Sequence, residues 1–513
     1  MKYAKEEYRR RVLGCFLGKN AGGTLGMRDE WHRRVNHVSA YVHDLSGAPL
    51  PNDDMDLQLV WLVAMEEQGV NIDAKCLGDY WTHYITPYWA EYGNCKMNLL
   101  RGLEPPFSGT FHNPYKDSCG AYIRSEIWAC MAPGRPDIAV QYAYEDALVD
   151  HGEGEGLYAE IFCAAMESAA FVESDLRRLM DIGLSYLPED CAVSQAVRLS
   201  QKLYDSGVSW EQAREEILRN FLGGFIFTVS PEDEKKGLVN GRVGWEAPSN
   251  VALVTTALLY GQGDFGKTIC IAVNCGEDTD CTAATAGALL GIVYGIDGIP
   301  EEWAKPVGTT LNTACLNLGE LGNLGSQLPK DIFQLQSRLE KLMLQAMDLH
   351  GADFSLTETD TTISDFPLCC PKDLELYRGE QVSRYRFRDF DIDVEYQDGP
   401  GIWPGCRKQV RFLVHNRSKT SENLHLHIYA EDAQVLPCAD GQLHLPEGVW
   451  FRNQNEIQVE FLFSQMPRTV IRAIAEFTLT GRAAPLLIPL VFCPDGEKFS
   501  SLLTASAETI SCP

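Results

Sequence analysis

The sequence predicts a two-domain protein. Residues 1–350 read as an all-α domain, 351–379 as a linker, and 380–513 as an antiparallel β-sandwich of Ig-like type. Three observations carry this. Apolar residues recur at helical spacing through the first 350 positions. From about residue 380 the period becomes two. At 513 residues the chain is too long for one ordinary domain and long enough to bury a large core.

In chain order, Leu57, Val60, Trp61 and Ala64 fall at i, i+3, i+4 and i+7 and predict a helix opening after Pro51 and Asn52. Residues 146–171 read as a glycine-rich acidic loop followed by an alanine-rich helix, with Glu153 and Glu155 as solvated loop acids. In 283–295, Ala283, Ala284, Ala286, Gly287, Ala288 and Gly291 let a helix pack closely inside a bundle. Ile332, Leu335, Leu339, Leu342 and Met343 predict a last helix over 329–347. Residues 353–373 have the character of an irregular connection. Strands then follow from alternation: Phe390, Ile392, Val394 and Tyr396; Val410, Phe412 and Val414; Leu424, Leu426 and Ile428; Ile457, Val459 and Phe461; Ala473, Ala475, Phe477 and Leu479. There is no 20- to 50-residue repeat.

Hydrophobic residues make 45% of the chain and charged residues 22%, as in soluble globular proteins. The net charge of -27 argues against DNA, RNA or anionic membrane as partners, since these repel an acidic surface. The N-terminus is charged and lacks the apolar core of a secretory signal. No apolar run is long enough to cross a bilayer. The 17 cysteines include no CxxC pair, and Cys369 and Cys370 are adjacent. They read as buried free thiols in a reducing compartment, the cytoplasm.

Two acidic knots carry the chemistry. Asp53, Asp54 and Asp56 lie at the start of the helix that Leu57 and Trp61 define. One such acid serves as a cap and complements the macrodipole. Three are more than capping needs, and packed together they raise one another's pKa unless a cation intervenes. Far downstream, GEDTDC places Asp278 and Asp280 two apart. In extended backbone such a pair points to one side and can bridge hard cations. Each knot alone is a weak signal. Two knots, each opening an apolar helix, are far more specific.

The segments RVLGCFLGKNAGGTLGMRDEW (11–31), NDDMD (52–56) and GEDTDCTAATAGALLGIVYGIDGIPEEW (276–303) together resemble the ADP-ribosylglycohydrolase family, over about residues 8–345. The resemblance implies an all-α domain with two Mg2+ or Mn2+ ions in its cleft. It assigns Asn52, Asp53, Asp54, Asp278 and Asp280 to the metals, and Glu30 to the family's mobile first-loop glutamate, catalytic with Asp53 and Asp54. It implies hydrolysis of the N- or O-glycosidic bond between ADP-ribose, or a related glycosyl group, and an acceptor. Residues 116–136 resemble the family's pyrophosphate loop, which points to the backbone of Ser118, Gly120 and Ala121, and His151 matches a cleft-lining histidine. Arg124 fits either a phosphate partner or a buried ion pair. Trp31, His32 or Tyr92 could stack on a base. The implied partner is an ADP-ribose-like small molecule or an ADP-ribosylated acceptor, with a homo-oligomer compatible.

This chain departs from the family pattern at Lys19, where the family has Asp, at Asn52 and Met55 in two Thr positions, and at Cys281, where a Thr offers oxygen to a metal. Thiolate suits Mg2+ poorly, so either Thr282 substitutes, a ligand is lost, or water fills in. These departures and the appended β region also fit a second reading, a non-catalytic ADP-ribose or nucleotide binder.

Overall fold

In the computed structural model, the residues described are 1–42, 44–222, 244–316, 327–359, 361, 381–418, 420–430, 433–436, 449–451, 454–465, 469–498 and 500. Cys369 and Cys370, and most of the expected linker 351–379, lie outside them. The chain forms two compact units, one of residues 1–97 and 108–377, the other of 98–107 and 378–513.

The helices in chain order are α1 (Lys5–Gly26), α2 (Asp53–Gln68), α3 (Ala74–Tyr84), α4 (Ala90–Arg101), α5 (Phe107–Thr110), α6 (Glu126–Met131), α7 (Pro136–Asp150) and α8 (Glu155–Ala169). They continue with α9 (Leu176–Ser185), α10 (Ala192–Asp205), α11 (Trp210–Phe221), α12 (Ala247–Gly261), α13 (Phe265–Asn274), α14 (Thr279–Tyr294), α15 (Glu301–Val307) and α16 (Ile332–Leu349). A short strand β1 (Lys2–Ala4) pairs in parallel with β2 (Ser355–Thr357).

At the centre of the first unit, α1 and α14 lie backbone to backbone. Gly14, Gly18, Gly22 and Gly26 of α1 face Gly291, Gly287, Ala283 and Thr279 of α14, each four residues apart and in opposite chain directions. A Cβ built on any of these four glycines would fall well inside 3.0 Å of the opposing carbonyl. Thr279 Oγ1 also donates to Gly26 O at 2.8 Å. The start of α14 is therefore held against the end of α1.

The helix expected from Leu57 and Trp61 is α2. It is buried from Asp54 through Met65 on all sides, so it is a core helix and no amphipathic one. The expected loop from 146 shrinks to residues 151–154, because α7 runs through Asp150. Asp146 and Asp150 sit one turn apart on α7, and both bind Arg124. Glu155 accepts the backbone N–H groups of Ala192 and Val193 at 3.0 and 2.9 Å, so it caps the start of α10. Among the described residues the cysteines are free thiols, and all but Cys76 and Cys270 are buried. No described helix is long and apolar enough to cross a membrane.

The second unit holds β3 (Val382–Arg386), β4 (Phe390–Tyr396), β5 (Gly401–Ile402), β6 (Cys406–Asn416), β7 (Glu422–Ala430), β8 (Gln434–Leu436), β9 (Val449–Phe451), β10 (Gln454–Phe463), β11 (Ile471–Leu479) and β12 (Leu486–Pro494). One sheet has the order β3-β4-β6-β10-β8, the other β5-β12-β11-β7-β9. All pairings are antiparallel except β5 with β12. Alternation places Val410, Phe412 and Val414 inside, and the Phe412 ring meets Phe477 of the other sheet at 5.4 Å. β12 escapes a period-two reading because its outward residues, Leu487 and Pro489, are as apolar as its inward ones. Residues 98–107 join this unit through Phe107, whose ring lies 4.9 Å from Tyr396, and through Pro105 O, which accepts from Ser383 Oγ at 2.8 Å.

Candidate active site

The close packing of α1 on α14 brings the openings of α2 and α14 together. Asn52 caps α2: its Oδ1 accepts from Asp54 N at 2.8 Å. Its Nδ2 donates across the gap to Asp280 Oδ2 at 3.1 Å. Asn52, expected to offer a carbonyl to a metal, thus spends that oxygen on the cap and bridges the two helix starts. Helix α14 begins earlier than an extended i, i+2 pair requires. Asp278 is its N-cap and Asp280 lies in its first turn. Asp278 N is held by Asn250 Oδ1 at 3.2 Å.

Two overlapping groups of ligand atoms result, each gathered within 4.8 Å: Glu30, Asp278 and Asp280; and Asp54, Asp280 and Cys281. Asp53 belongs to neither. It is half-buried on the wall of a cavity of about 220 Å3, and its Oδ2 accepts from Tyr92 OH at 3.1 Å. Asp56 turns away and accepts the backbone N–H groups of Ala314 and Cys315, a structural role.

The carboxylates are strongly perturbed. Burial and the Asp280 charge push Asp53 up to about 6. Burial, then the charges of Asp280, Asp53 and Asp54, push Glu30 up to about 10. Burial raises Asp54 and Asp278 well above the usual range and Asp280 in the same direction. Asp54 Oδ2, Asp278 Oδ1 and Asp280 Oδ1 are buried without a hydrogen-bond partner. Orphaned, mutually repelling carboxylate oxygens are what a hard divalent cation relieves, so the Glu30 group fits Mg2+ or Mn2+.

Lys19 stands beside this cluster and is buried. Its Nζ donates to Ile123 O at 2.7 Å and to Glu126 Oε1 at 2.8 Å, and lies 3.6 Å from Asp54 Oδ2. Burial alone would lower its pKa, but the Glu126 and Asp54 charges more than offset that and keep it cationic.

The loop carrying Glu30 is pinned. Trp31 N donates to Glu277 O at 2.8 Å and Glu277 N to His32 O at 3.0 Å. Arg33 then bridges Glu246 and Glu277 at 2.8 and 3.1 Å. Trp31 and Glu277 both adopt left-handed backbone, at φ 65° and 69°. Such strain in bulky residues persists only where surrounding bonds enforce it. The result is a short ladder that aims Glu30 at Asp278 and sets Trp31 edge-on to Trp245, ring centroids 5.6 Å apart.

Of the expected ligand-binding residues, Ser118 and Gly120 line the cavity, whereas Ala121 and His151 are fully buried and are not among its lining residues. His151 is fully buried, and its Nε2 meets Ser118 Oγ at 3.1 Å. Arg124 resolves as a buried ion pair: Nε to Asp146 at 2.9 Å, and Nη1 and Nη2 to Asp150 at 3.0 and 2.6 Å. Trp61 and Trp128 donate to Asp146 Oδ2 as well, both at 2.9 Å. That network sets the floor under Gly120, whose carbonyl accepts from Arg124 Nη1. Of the aromatic candidates, Trp31 and Tyr92 reach the cavity; His32 does not. Sequence reasoning missed Trp89, Glu91, Tyr115 and Trp245 on its walls. Glu91 is buried against Gly120, and burial raises its pKa. No local pattern marks these four, because they come from three separate stretches of chain: Trp89 and Glu91 at the start of α4, Tyr115 after α5, and Trp245 before α12.

The family model for ADP-ribosylglycohydrolase matches residues 4–337. Among curated proteins, ADP-ribosylarginine hydrolase Tri1 of Pseudomonas putida (strain GB-1) is 41% identical over 49 residues. That match spans 10% of this chain and 13% of the relative's length. A solved structure titled ADP-ribosylglycohydrolase-related protein complex is 20% identical, with a TM-score of 0.39, over 67% of this chain and 99% of that one. At that score the likeness decides nothing further.

Proposed function

Because this chain belongs to the ADP-ribosylglycohydrolase family, we propose that it is a metal-dependent hydrolase. In this reading it cleaves the N- or O-glycosidic bond of ADP-ribose, or of a related glycosyl group, from an acceptor. The observation that carries the reading is the convergence of Glu30, Asp278 and Asp280 at the edge of an aromatic-walled cavity, with buried oxygens left unpartnered.

Glu30, Asp278 and Asp280 would hold the cation, which when bound orients sugar hydroxyls and stabilises charge near the attacking oxygen. Asp53 is the proton acceptor. It faces the cavity and is anchored by Tyr92, which places its carboxylate to take a proton from water. Its carboxylate also favours an oxocarbenium-like transition state. Trp31, Trp245 and Trp89 wall the cavity and exclude water from the sugar. Ser118, positioned by His151, and the backbone at Gly120 hold the remainder of the ligand. The tail we read as an Ig-like β-sandwich, supported by the ring contacts between its two sheets.

The test is hydrolysis of a panel of ADP-ribosyl conjugates with Mg2+ or Mn2+, with released ADP-ribose identified by mass spectrometry. Turnover that survives chelation or Asp280→Ala refutes the metal reading. The Lys19 and Cys281 departures favour the binder as the second reading, and calorimetric binding without turnover across the panel would select it.

A further inference from the structure

The two ligand groups that share Asp280 are chemically unequal. The first has three carboxylates, and Asp278 Oδ1 and Asp280 Oδ1 lack partners. The second has a thiol, and although Asp54 Oδ2 makes no hydrogen bond there either, a thiol and an ammonium of the chain itself already face the two oxygens of Asp54. Cys281 Sγ points its S–H at Asp54 Oδ1, 3.6 Å away, and the Lys19 ammonium faces Asp54 Oδ2 at 3.6 Å.

Lys19 cannot swing aside. It follows Gly18 in the tightly packed face of α1, and its ammonium donates to Ile123 O and Glu126 Oε1. Glu126 is fixed in turn, since its Oε2 accepts from Gln58 Nε2 at 2.8 Å. The same Gln58 nitrogen donates to Asp54 O at 3.0 Å, which closes the ring of contacts back onto α2. An ion ligated by Asp54 would therefore share one carboxylate with a fixed positive charge, and would take a thiol where a hard cation needs oxygen.

We propose that this chain holds one divalent cation, at Glu30, Asp278 and Asp280, and that the Lys19 ammonium occupies the role of a second positive centre against Asp54. The two ions implied by resemblance do not fit the Asp54–Asp280–Cys281 group. The inference rests on the proposed metal centre and narrows it: one pole of the cluster is exchangeable and the other is built into α1.

The experiment is metal counting on the full chain, stripped with chelator and titrated with Mn2+, by calorimetry and by electron paramagnetic resonance. The expected result is one Mn2+ per chain at saturation, with the hyperfine sextet of an isolated ion. Two Mn2+ per chain with a spin-coupled signal overturn this inference and leave the hydrolase reading intact. No Mn2+ bound overturns both. Variants give an independent check. Asp278→Asn should weaken Mn2+ binding by at least about 100-fold, whereas Asp54→Asn, which keeps the shape, should change it by less than about 10-fold. Equal losses in the two variants overturn the assignment. Cys281→Thr alone should still bind one ion, because Lys19 remains. A second ion appearing in that variant would overturn the role given to Lys19.

Discussion

Replacing Gly18 or Gly22 by alanine tests how the site is assembled. A Cβ at Gly18 meets the carbonyl of Gly287, and one at Gly22 meets that of Ala283. Both atoms belong to helix backbone and cannot turn away. Each clash leaves the Cβ about 1 Å short of the closest approach that real Cβ atoms show, so α1 and α14 must separate by about that much. A gap of this size forfeits roughly a quarter to a half of the dispersion attraction across the interface. Overpacking costs about 1–3 kcal/mol and more against backbone. The better helix propensity of alanine returns only about 1 kcal/mol. The net expectation is a loss of about 2 kcal/mol in each variant. The same displacement moves Asp280 away from Asn52, so Mn2+ affinity should fall together with stability. Gly23 is the control. Its Cβ would meet only the Asn52 amide, at 3.1 Å, and the Ala284 methyl, at 3.6 Å, so Gly23→Ala should be close to neutral in stability. Thermal melts by circular dichroism, paired with Mn2+ calorimetry, read both effects. Gly18→Ala or Gly22→Ala with an unchanged melting temperature and unchanged Mn2+ affinity would refute the close-packing argument.

Arg124→Met should destabilise by about 3–5 kcal/mol, because it leaves Asp146 and Asp150 buried without their cation; thermal denaturation measures it. Acid sensitivity should follow Asp150. Burial alone would raise its pKa, but Arg124 and His151 outweigh that and hold it at about 2, below its ordinary value of 3.8. A depressed carboxyl contributes stability above the unfolded pKa and loses it as pH falls from about 4 through about 2, a loss on the order of 2 kcal/mol. Asp150→Asn should flatten that limb of a stability-against-pH curve, and a curve identical to wild type there would count against the pairing. Trp31→Ala should raise KM roughly tenfold with kcat little changed, the equivalent of about 1.4 kcal/mol of stacking, as steady-state kinetics on a cleaved conjugate would read.

Much of the fold was legible in the residues because local periodicity reports local burial. The helix over Leu57–Ala64 and the strands around Phe390, Val410 and Ile457 each carry their own pattern. β12 does not, since apolar residues fill both of its faces. The segment 98–107 carries no sign that it belongs with the β region, because the contacts that commit it there, through Phe107, Pro105 and Arg101, are all with distant partners. In the site, the two acidic knots stood out by composition, but Asp56 looked equivalent to its neighbours until its backbone partners at Ala314 and Cys315 appeared.

The sequence by itself determined which segments are helix or strand and which short stretches hold unusual concentrations of acid, since both properties are written within a few consecutive positions. Tertiary structure alone decided which of those acids face one another, which are already neutralised, and which aromatic side chains close the cavity. That division has a physical cause. Ligand competence depends on which charges and atoms surround each oxygen, and the neighbours of the Asp54 carboxylate, Lys19 from α1 and Cys281 from α14, lie far from it along the chain.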